Sequence, residues 1–564
     1  MIKEKLKKIV GSKREWYVIL AMVALIVVVT AYPYLRNGVN GYDKDLLYHL
    51  LRIDGVKDAL LQGKFPVRIY ENFFNGYGYG SPLFYPDLFL LIPAVLRILG
   101  FSASVTWKLF AILLTVLASL STYFCFRYII RDWRYAVTGT ILLMLSQFYL
   151  ADLMIRVGIS EYLAFIFLPM LVAGIYDFFE RDGKKAYLIG IAFTGMVLTH
   201  TIMTFIGVLI TTVIFFLMFL LPRKRKLLFE KERMARLLKT AVVTLLLASY
   251  YLFPMLEQMH AADYKYTVPW AHVGEYVQPF SVLFYSTGDF DYIACVGIGI
   301  PLLLLLSCRL IYGSPKNKWA DGFYFGGIFL FLMTTSLFPW RLFDNTILNM
   351  IQFTYRFYPY ALCFLILGIC MILSEHAGHP QARTIRVAAV LLAVFFGFWQ
   401  NYTVFREYHW TYSTDLSDEF ISWNSNCVGQ GEWLPVSLDD DVAELKAAGT
   451  VSCESEEIES VRSQGTVEFA TTSKSNVEYE VPLIYYKGYR AILTDNTGAT
   501  QELDVRESAH GLVEVLDEKG LDGNVNVCYQ ETAIQKISKW ISILTVLGVS
   551  IVQVAKRKRK YKKE

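Results

Sequence analysis

Apolar residues run along this chain in long blocks rather than in the short alternation of a soluble core. Twelve blocks recur, at 16–35, 109–126, 135–151, 162–176, 186–198, 202–221, 240–256, 292–308, 322–340, 357–374, 387–405 and 540–555. A helix needs about 20 apolar residues to cross ~30 Å of hydrocarbon. The pattern therefore predicts a mostly α, polytopic transmembrane helical bundle of about twelve spans. The first block has no small-x-small cleavage site after it and is expected to remain as a helix. Residues 88–99 are apolar but broken by Pro93 and Arg97, and are expected to be re-entrant or juxtamembrane.

Residues 406–533 read differently. Short runs rich in Val, Tyr and Ile, at 466–472, 481–486, 489–494, 511–516 and 524–529, are punctuated by Gly, Asn and Asp. That alternation predicts an antiparallel, all-β sandwich-like domain before the last span.

Composition agrees with a lipid environment. Of the 564 residues 55% are hydrophobic, 15% aromatic and only 18% charged, with mean hydropathy +0.39. A soluble chain carries about 25% charged residues. The net charge of +4 matters less than its placement. With the N-terminus inside, the loops at 127–134, 181–185, 222–236, 313–318 and 380–386 and the tail at 556–563 all fall inside, and all are basic. Counting 88–99 as a crossing would move most of these clusters outside. The expected placement is a multi-pass cell-membrane protein with both termini cytosolic. Residues 406–533, which hold half of the chain's 50 acidic residues, are then extracellular. Eight cysteines show no Cys-x-x-Cys or Cys/His metal spacing, and Cys427, Cys453 and Cys528 lie in the polar part. No nucleic-acid partner is expected.

Under this topology the conspicuous ionisable groups collect at outer helix ends, where such groups are functional candidates. Asp45, His49 and Arg52 are spaced i, i+4, i+7 after the first block and form one stripe on a helix. With the leucines around them turned away, an interfacial helix would present a carboxylate, an imidazole and a guanidinium to water. The alternative is an ordinary helix whose polar side is merely solvated. Asp43 and Asp45 form an Asp-x-Asp pair able to hold a divalent cation such as Mg or Mn, or Asp43 simply caps the helix. Arg156 is suited to a bidentate phosphate, and Glu161 follows it with Ser160 as the expected cap, or Arg156 and Glu161 simply tie two helices together. His200 is a substrate-binding or a structural histidine, and Arg356 enters the membrane and needs an anionic partner. Glu257, His260, Arg341, His272 and Glu275 are further candidates. The stretch Gly76-Tyr-Gly-Tyr-Gly80 through Pro86 lacks the Gly-Lys-Ser/Thr of a P-loop, and reads as an interfacial tyrosine belt or a sugar-stacking surface.

The string Gly41-Tyr-Asp-Lys-Asp45, His49, Arg52, then Gly63-Lys-Phe-Pro-Val-Arg68 and Gly76-Tyr-Gly-Tyr-Gly-Ser-Pro82, resembles the bacterial 6-pyruvoyl-tetrahydropterin synthase-related membrane family and YfhO-like membrane proteins. Arg156-x-Gly-x-Ser-Glu161, Ile351-Gln-Phe-x-Tyr-Arg356 and Pro482-x2-Tyr-Tyr-Lys-Gly-Tyr-Arg490 fit the same pattern, although Phe-Thr-Tyr-Arg356 departs from the usual Phe-Pro-Trp-Arg. These families are similar to GT-C glycosyltransferases. The resemblance implies an inverting transfer of sugar from a polyprenyl-phosphate donor to an envelope glycan, lipid or teichoic-acid-like acceptor on the outer face, among membrane lipids. Asp45 takes the family's first-loop acid position, with Asp43 beside it. His49, Arg52, Arg156, Glu161, His200 and Arg356 are expected to bind substrate. No cofactor is certain beyond the possible divalent cation, and no pterin chemistry is implied. The expected division is a transmembrane catalytic domain at 1–405 with its first outer loop at 36–108, a β-rich domain at 406–533, and a final helix with a basic tail at 534–564. A flippase of lipid-linked saccharides and a non-catalytic envelope scaffold are the rival expectations.

Overall fold

A computed structural model describes residues 12–37, 44–267, 272–284, 296–411, 431–438, 449–453, 456–463, 465–471, 474–520 and 522–561. The chain divides into two compact units, each built from separated segments.

The first unit comprises Met1–Leu46, Ser102–Thr244 and Ala271–Leu416 and is helical. At its centre lie Ile159–Glu180 and Thr354–Glu375, apolar on every side and 89% and 94% buried. A helix hydrophobic all round belongs inside a bundle. Around them, Thr201–Leu220 and Pro380–Thr403 are only 28% and 22% buried and expose Phe216, Leu217, Leu391 and Phe395, as lipid-facing helices do. Small residues set the closest approaches. A Cβ on Gly327 would come within 2.6 Å of the Leu365 backbone, and one on Gly368 within 2.6 Å of Tyr324. Lys318–Met333 and Tyr358–Glu375 therefore pack backbone against backbone.

Every expected block contains helix, but not every helix is a full span. Among the described residues eight helices are long and apolar enough to cross a membrane. The count is nine if Trp133–Met144 and Gln147–Arg156, bent by 46°, form one span. The other three expected spans fall on Tyr187–Val197, the stretch Ile300–Tyr312, and Lys318–Met333. At 11 residues, Tyr187–Val197 rises only ~16 Å. Part of its apolarity serves protein: a Cβ on Gly174 would meet the backbone of Ile189 at 2.8 Å, and one on Gly195 would strike Phe167. Hydropathy does not separate residues buried against lipid from residues buried against a neighbouring helix.

The second unit comprises Leu47–Phe101, Leu245–Trp270 and Ser417–Glu564. Its eight strands are β1 (Thr450–Cys453), β2 (Glu456–Ser463), β3 (Thr466–Ala470), β4 (Val477–Ile484), β5 (Tyr489–Asp495), β6 (Thr500–Glu507), β7 (Leu512–Asp517) and β8 (Gly523–Tyr529). They close in the order β1-β2-β3-β8-β5-β6-β7-β4, with every pairing antiparallel. This corrects the expected sandwich. β2, paired with both β1 and β3, and β6, paired with both β5 and β7, join what would be two sheets and leave no strand edge open. Val451, Val467, Phe469, Tyr479, Val481, Val513, Val515, Val525 and Val527 fill the interior. The sequence pattern missed β1, β2 and β6. In β2 and β6 polar residues occupy most positions, and only one residue of the two strands is buried.

In the same unit Leu245–Ala261 runs beside the last helix, Ala533–Tyr561. Ser249 Oγ donates to Ser538 O at 3.0 Å and lies 2.9 Å from Ser542 Oγ, and Tyr250 N donates to Ser542 Oγ at 3.0 Å. Residues 88–98 form a short helix whose Ile92, Val95 and Ile98 are exposed, while Arg97 Nε pairs with Asp54 at 2.7 Å. The Gly76–Pro86 stretch is neither a belt nor an open stacking surface. Tyr77 and Tyr79 are buried, Ile484 N donates to Tyr77 O at 2.9 Å, and a Cβ on Gly80 would collide with the Tyr486 ring. The glycines let this loop clamp the barrel wall, which no local pattern distinguishes from an interfacial turn.

Candidate active site

Asp45 lies in the first turn of the helix Lys44–Leu61. Its side chain keeps 43% of its surface open, yet the surrounding protein desolvates the carboxyl. Burial pushes its carboxyl above the ordinary aspartate value. Arg156 pulls it back, Glu161 pushes it further up, and Arg356 pulls it down. Desolvation thus outweighs two guanidinium groups.

Arg156 is the hub of the first unit's ionisable groups. Its Nε lies 3.3 Å from Asp45 Oδ2, one terminal nitrogen lies 3.7 Å from Asp152 Oδ1, and the same nitrogen pairs with Glu161. The guanidinium sits 5.3 Å from the Tyr355 ring centroid. Local backbone explains the placement. Gln147–Ala151 passes into a π-helical turn, Asp152–Arg156, a distortion that often accompanies function. Val157 then adopts φ 54°, ψ 41°, a left-handed conformation that costs a β-branched residue ~1–2 kcal/mol. A Cβ on Gly158 would come within 3.0 Å of Asp152 Oδ1, so glycine admits that carboxylate. Gly158, not Ser160, is the N-cap of Ile159–Glu180, and Glu161 sits in the first turn, where the helix dipole favours negative charge. The expected Arg156–Glu161 tie is therefore present, but Arg156 also reaches Asp45.

Arg356 lies in the 3-10 turn Thr354–Phe357 and is 5% exposed. Its terminal nitrogen donates to Ile351 O and Gln352 Oε1, both at 2.8 Å, and its guanidinium lies 5.1 Å from the Phe353 ring. Gln352 itself holds φ 61°. Among the described residues Arg356 makes no ion pair, and its buried Nε has no hydrogen-bond partner. It is a buried cation whose charge is felt at the Asp45 carboxylate. Asp45, Asp152 and Glu161 against Arg156 and Arg356 leave one negative charge in excess, which a proton on Asp45 would remove.

The second unit has its own cluster, and it overturns the expected wet stripe. His49 and Arg52 are 3% and 0% exposed, and Leu46, Leu50 and Leu51 are buried as well. The helix is enclosed on all sides rather than lying flat at an interface. Arg52 pairs with Asp87, donates to Pro86 O at 3.0 Å, lies 3.2 Å from His49 Nδ1, and stacks 4.2 Å from the Tyr85 ring. Tyr70 donates its hydroxyl to Asp87. Burial works against the charge on Arg52, but Asp87 outweighs it and holds the guanidinium protonated. Asp87 thus supplies the charge that neutralises Arg52. Asp87, Tyr70 and Tyr355 were not singled out from the sequence, and Asp152 opened the Arg156–Glu161 cluster without a role of its own. An isolated acid directly before the apolar stretch 88–99 was the available signal for Asp87.

His200 is the N-cap of Thr201–Leu220: its Nδ1 accepts from Met203 N at 3.2 Å. An accepting Nδ1 puts the ring proton on Nε2. Glu257 accepts from Thr532 Oγ1 at 2.6 Å in the second unit. Arg341 packs against Gly274, and the His272 amide is 3.4 Å from Glu275. Asp43 and Cys427 lie outside the described residues, so the Asp43–Asp45 pair is not described. Among the described residues no group of three or more His, Cys, Asp or Glu is placed to hold a metal ion.

Residues 83–406, more than half the chain, match the family model of the 6-pyruvoyl-tetrahydropterin synthase related domain, described as a membrane protein. The chain belongs to this family. The matched region carries the π-turn, Arg156, Glu161, His200 and Arg356, while Asp45 lies before it. An uncharacterized protein of Lactococcus lactis subsp. cremoris (strain MG1363) is 21% identical over 342 residues, 58% of this chain and 54% of the relative. The chain therefore spans about half the length of that relative. Among solved structures, the arabinofuranosyltransferase AftD from Mycobacteria aligns with a TM-score of 0.46 at 16% identity, covering 70% of this chain and 27% of that one. A mutant of AftD aligns at 0.45, covering 70% and 28%. No activity is read from so distant a likeness.

Proposed function

We propose that this member of the family is a membrane glycosyltransferase that moves a sugar from a polyprenyl-phosphate donor to a cell-envelope acceptor on the outer face. One observation carries the reading: a partly open carboxylate, Asp45, with a raised proton affinity, shares its unit with Arg356, a buried guanidinium without an ion-pair partner among the described residues. The family resemblance of the Asp45 and Arg356 motifs supports it.

In this proposal the donor phosphate pairs with Arg356. The acceptor oxygen forms a bond to the anomeric carbon as Asp45 takes its proton. The bond from that carbon to the phosphate oxygen breaks, and the electron pair leaves with polyprenyl phosphate. Arg356 and Arg156 stabilise the charge developing on the phosphate, and attack opposite the leaving group inverts the anomeric centre. Arg156, through Asp152 and Glu161, is the positioning residue for Asp45. Arg52 has no part in holding phosphate, because Asp87 already neutralises it.

The test compares cells lacking the gene with cells carrying the wild type or Arg356→Gln. Mass spectrometry follows the envelope polymers and the pool of polyprenyl-phosphate sugars. Deletion should remove one sugar from a polymer and raise its lipid-linked donor. Arg356→Gln should slow transfer by about 10- to 100-fold, the worth of one charge-assisted hydrogen bond. Unchanged polymers and donors in the deletion would overturn the proposal. The bend before Gln147 favours a second reading, translocation of lipid-linked saccharides, since broken helices line transport sites. In sealed vesicles a translocator moves the donor intact, whereas the transferase releases polyprenyl phosphate.

A further inference from the structure

Four helix ends converge elsewhere in the first unit around a cleft of about 620 Å³ lined by Ser12, Arg14, Arg131, Asp132, Trp133, Arg134 and Arg386. Ser12 and Arg14 come from the start of Lys13–Asn37, and Arg386 from the second turn of Pro380–Thr411. The others bridge Ala103–Ile130 and Trp133–Met144. Four guanidiniums face one carboxylate, so the lining carries three positive charges in excess (4 − 1). Arg134 is already neutralised: its terminal nitrogen lies 2.7 Å from Asp132 Oδ2, and Asp132 also caps its helix by accepting from Arg134 N at 3.0 Å. Arg14, Arg131 and Arg386 make no ion pair among the described residues. Arg386 lies 5.7 Å from the Tyr135 ring centroid, and its charge also acts on the Asp132 carboxylate.

Like charges gathered at one cleft repel, and although water and salt screen exposed ones in part, an anion held among them would relieve what repulsion remains. Two further features point the same way. The amino ends of Lys13–Asn37 and Trp133–Met144 both open on the cleft, adding partial positive charge. Arg131 itself holds the left-handed conformation, φ 68°, as the C-cap of Ala103–Ile130, where glycine is favoured. The backbone tolerates that strain to present an arginine. Trp133 supplies an apolar wall beside the cations, as a membrane-interface residue does. The loops concerned belong to the basic set.

We propose that this cleft binds a phosphate-bearing anion, presented either as an anionic phospholipid headgroup or as free pyrophosphate. Bidentate guanidinium–phosphate pairing explains why the unpaired cations are arginines rather than lysines. The site is independent of the proposed transfer, since its lining includes none of Asp45, Asp152, Arg156, Glu161 and Arg356.

The test uses the full-length protein in nanodiscs of phosphatidylcholine with or without about 20% phosphatidylglycerol or cardiolipin, with bound lipids counted by native mass spectrometry. The wild type should enrich the anionic lipid. The triple variant Arg14→Gln, Arg131→Gly, Arg386→Gln should lose that enrichment by at least about tenfold. Arg223→Gln, Arg225→Gln, Lys226→Gln, on the basic helix Pro222–Leu228, should keep it. Displacement of the lipid by millimolar pyrophosphate, or pyrophosphate binding without lipid enrichment, supports the site and assigns a soluble source. Enrichment that pyrophosphate does not displace assigns the headgroup. Arg131→Gly alone guards against misfolding: it removes charge while relaxing the backbone, so thermal stability should hold or rise while anion binding falls. Neither lipid nor pyrophosphate binding in the wild type, or binding unchanged in both Arg131→Gly and the folded triple variant, would overturn the proposal.

Discussion

Asp45→Asn separates what this carboxylate does for the fold from what it does for chemistry. The amide keeps the shape and an oxygen that accepts from Arg156, but cannot take a proton at neutral pH. Because burial, only partly opposed by Arg156 and Arg356, lifts the carboxyl above its ordinary 3.8, the folded protein favours the neutral form. A group with a raised folded pKa contributes stability at low pH and loses it as pH rises through that value. At pH 7 the ionised Asp45 therefore weighs against the fold. The contact with Arg156 at 3.3 Å, made by a carboxylate 43% open, is worth at most about 1 kcal/mol, and Arg156 keeps Glu161 and Asp152. The substituted protein should melt at or above the wild-type temperature. Transfer should fall by about 10²- to 10⁴-fold, or ~2.7–5.5 kcal/mol of barrier. Thermal shift and turnover of lipid-linked sugar, measured on one preparation of the full chain, read both quantities. Transfer within about tenfold of wild type would refute Asp45 as the base. A melting temperature lowered by several degrees would refute the electrostatic reasoning. In the wild type, activity should rise with pH along an acid limb whose midpoint lies above 3.8, and Asp45→Asn should lack that limb.

Arg52→Met strands Asp87 as a buried charge and should cost about 3–5 kcal/mol, read as lost folded yield, with partial recovery on adding Asp87→Asn. If Arg52 served only the substrate, folded yield would not move. Val157→Gly relieves left-handed strain worth ~1–2 kcal/mol but gives up a buried side chain worth about 1.5–3 kcal/mol, so stability should fall by no more than about 2 kcal/mol while a loosened Arg156 lowers turnover. A loss above about 3 kcal/mol would contradict the strain argument. His200→Ala should lose about 1 kcal/mol of stability and His200→Asn little, since asparagine also caps helices. A large loss of turnover in folded His200→Asn would instead return this residue to the substrate.

The helical blocks and the β region were legible because periodicity and apolar length act locally. A run without charges forms helix whatever its neighbour, and alternating Val and Tyr residues form strand. For that reason the same pattern overcounted full spans at Tyr187–Val197 and missed β2 and β6, where the neighbour decides. The acids and bases near Asp45 were also visible as residues out of place beside apolar blocks. Their partners were not. Arg52 looked like a phosphate ligand until Asp87, 35 residues on, was seen to neutralise it. Arg156, in contrast, reaches back along the chain to Asp45. Only the folded chain sets which cation is ion-paired, as Arg52 is with Asp87, and which, like Arg356, makes no ion pair among the described residues. Pairing energy depends on distance and desolvation, and neither is written in the order of residues.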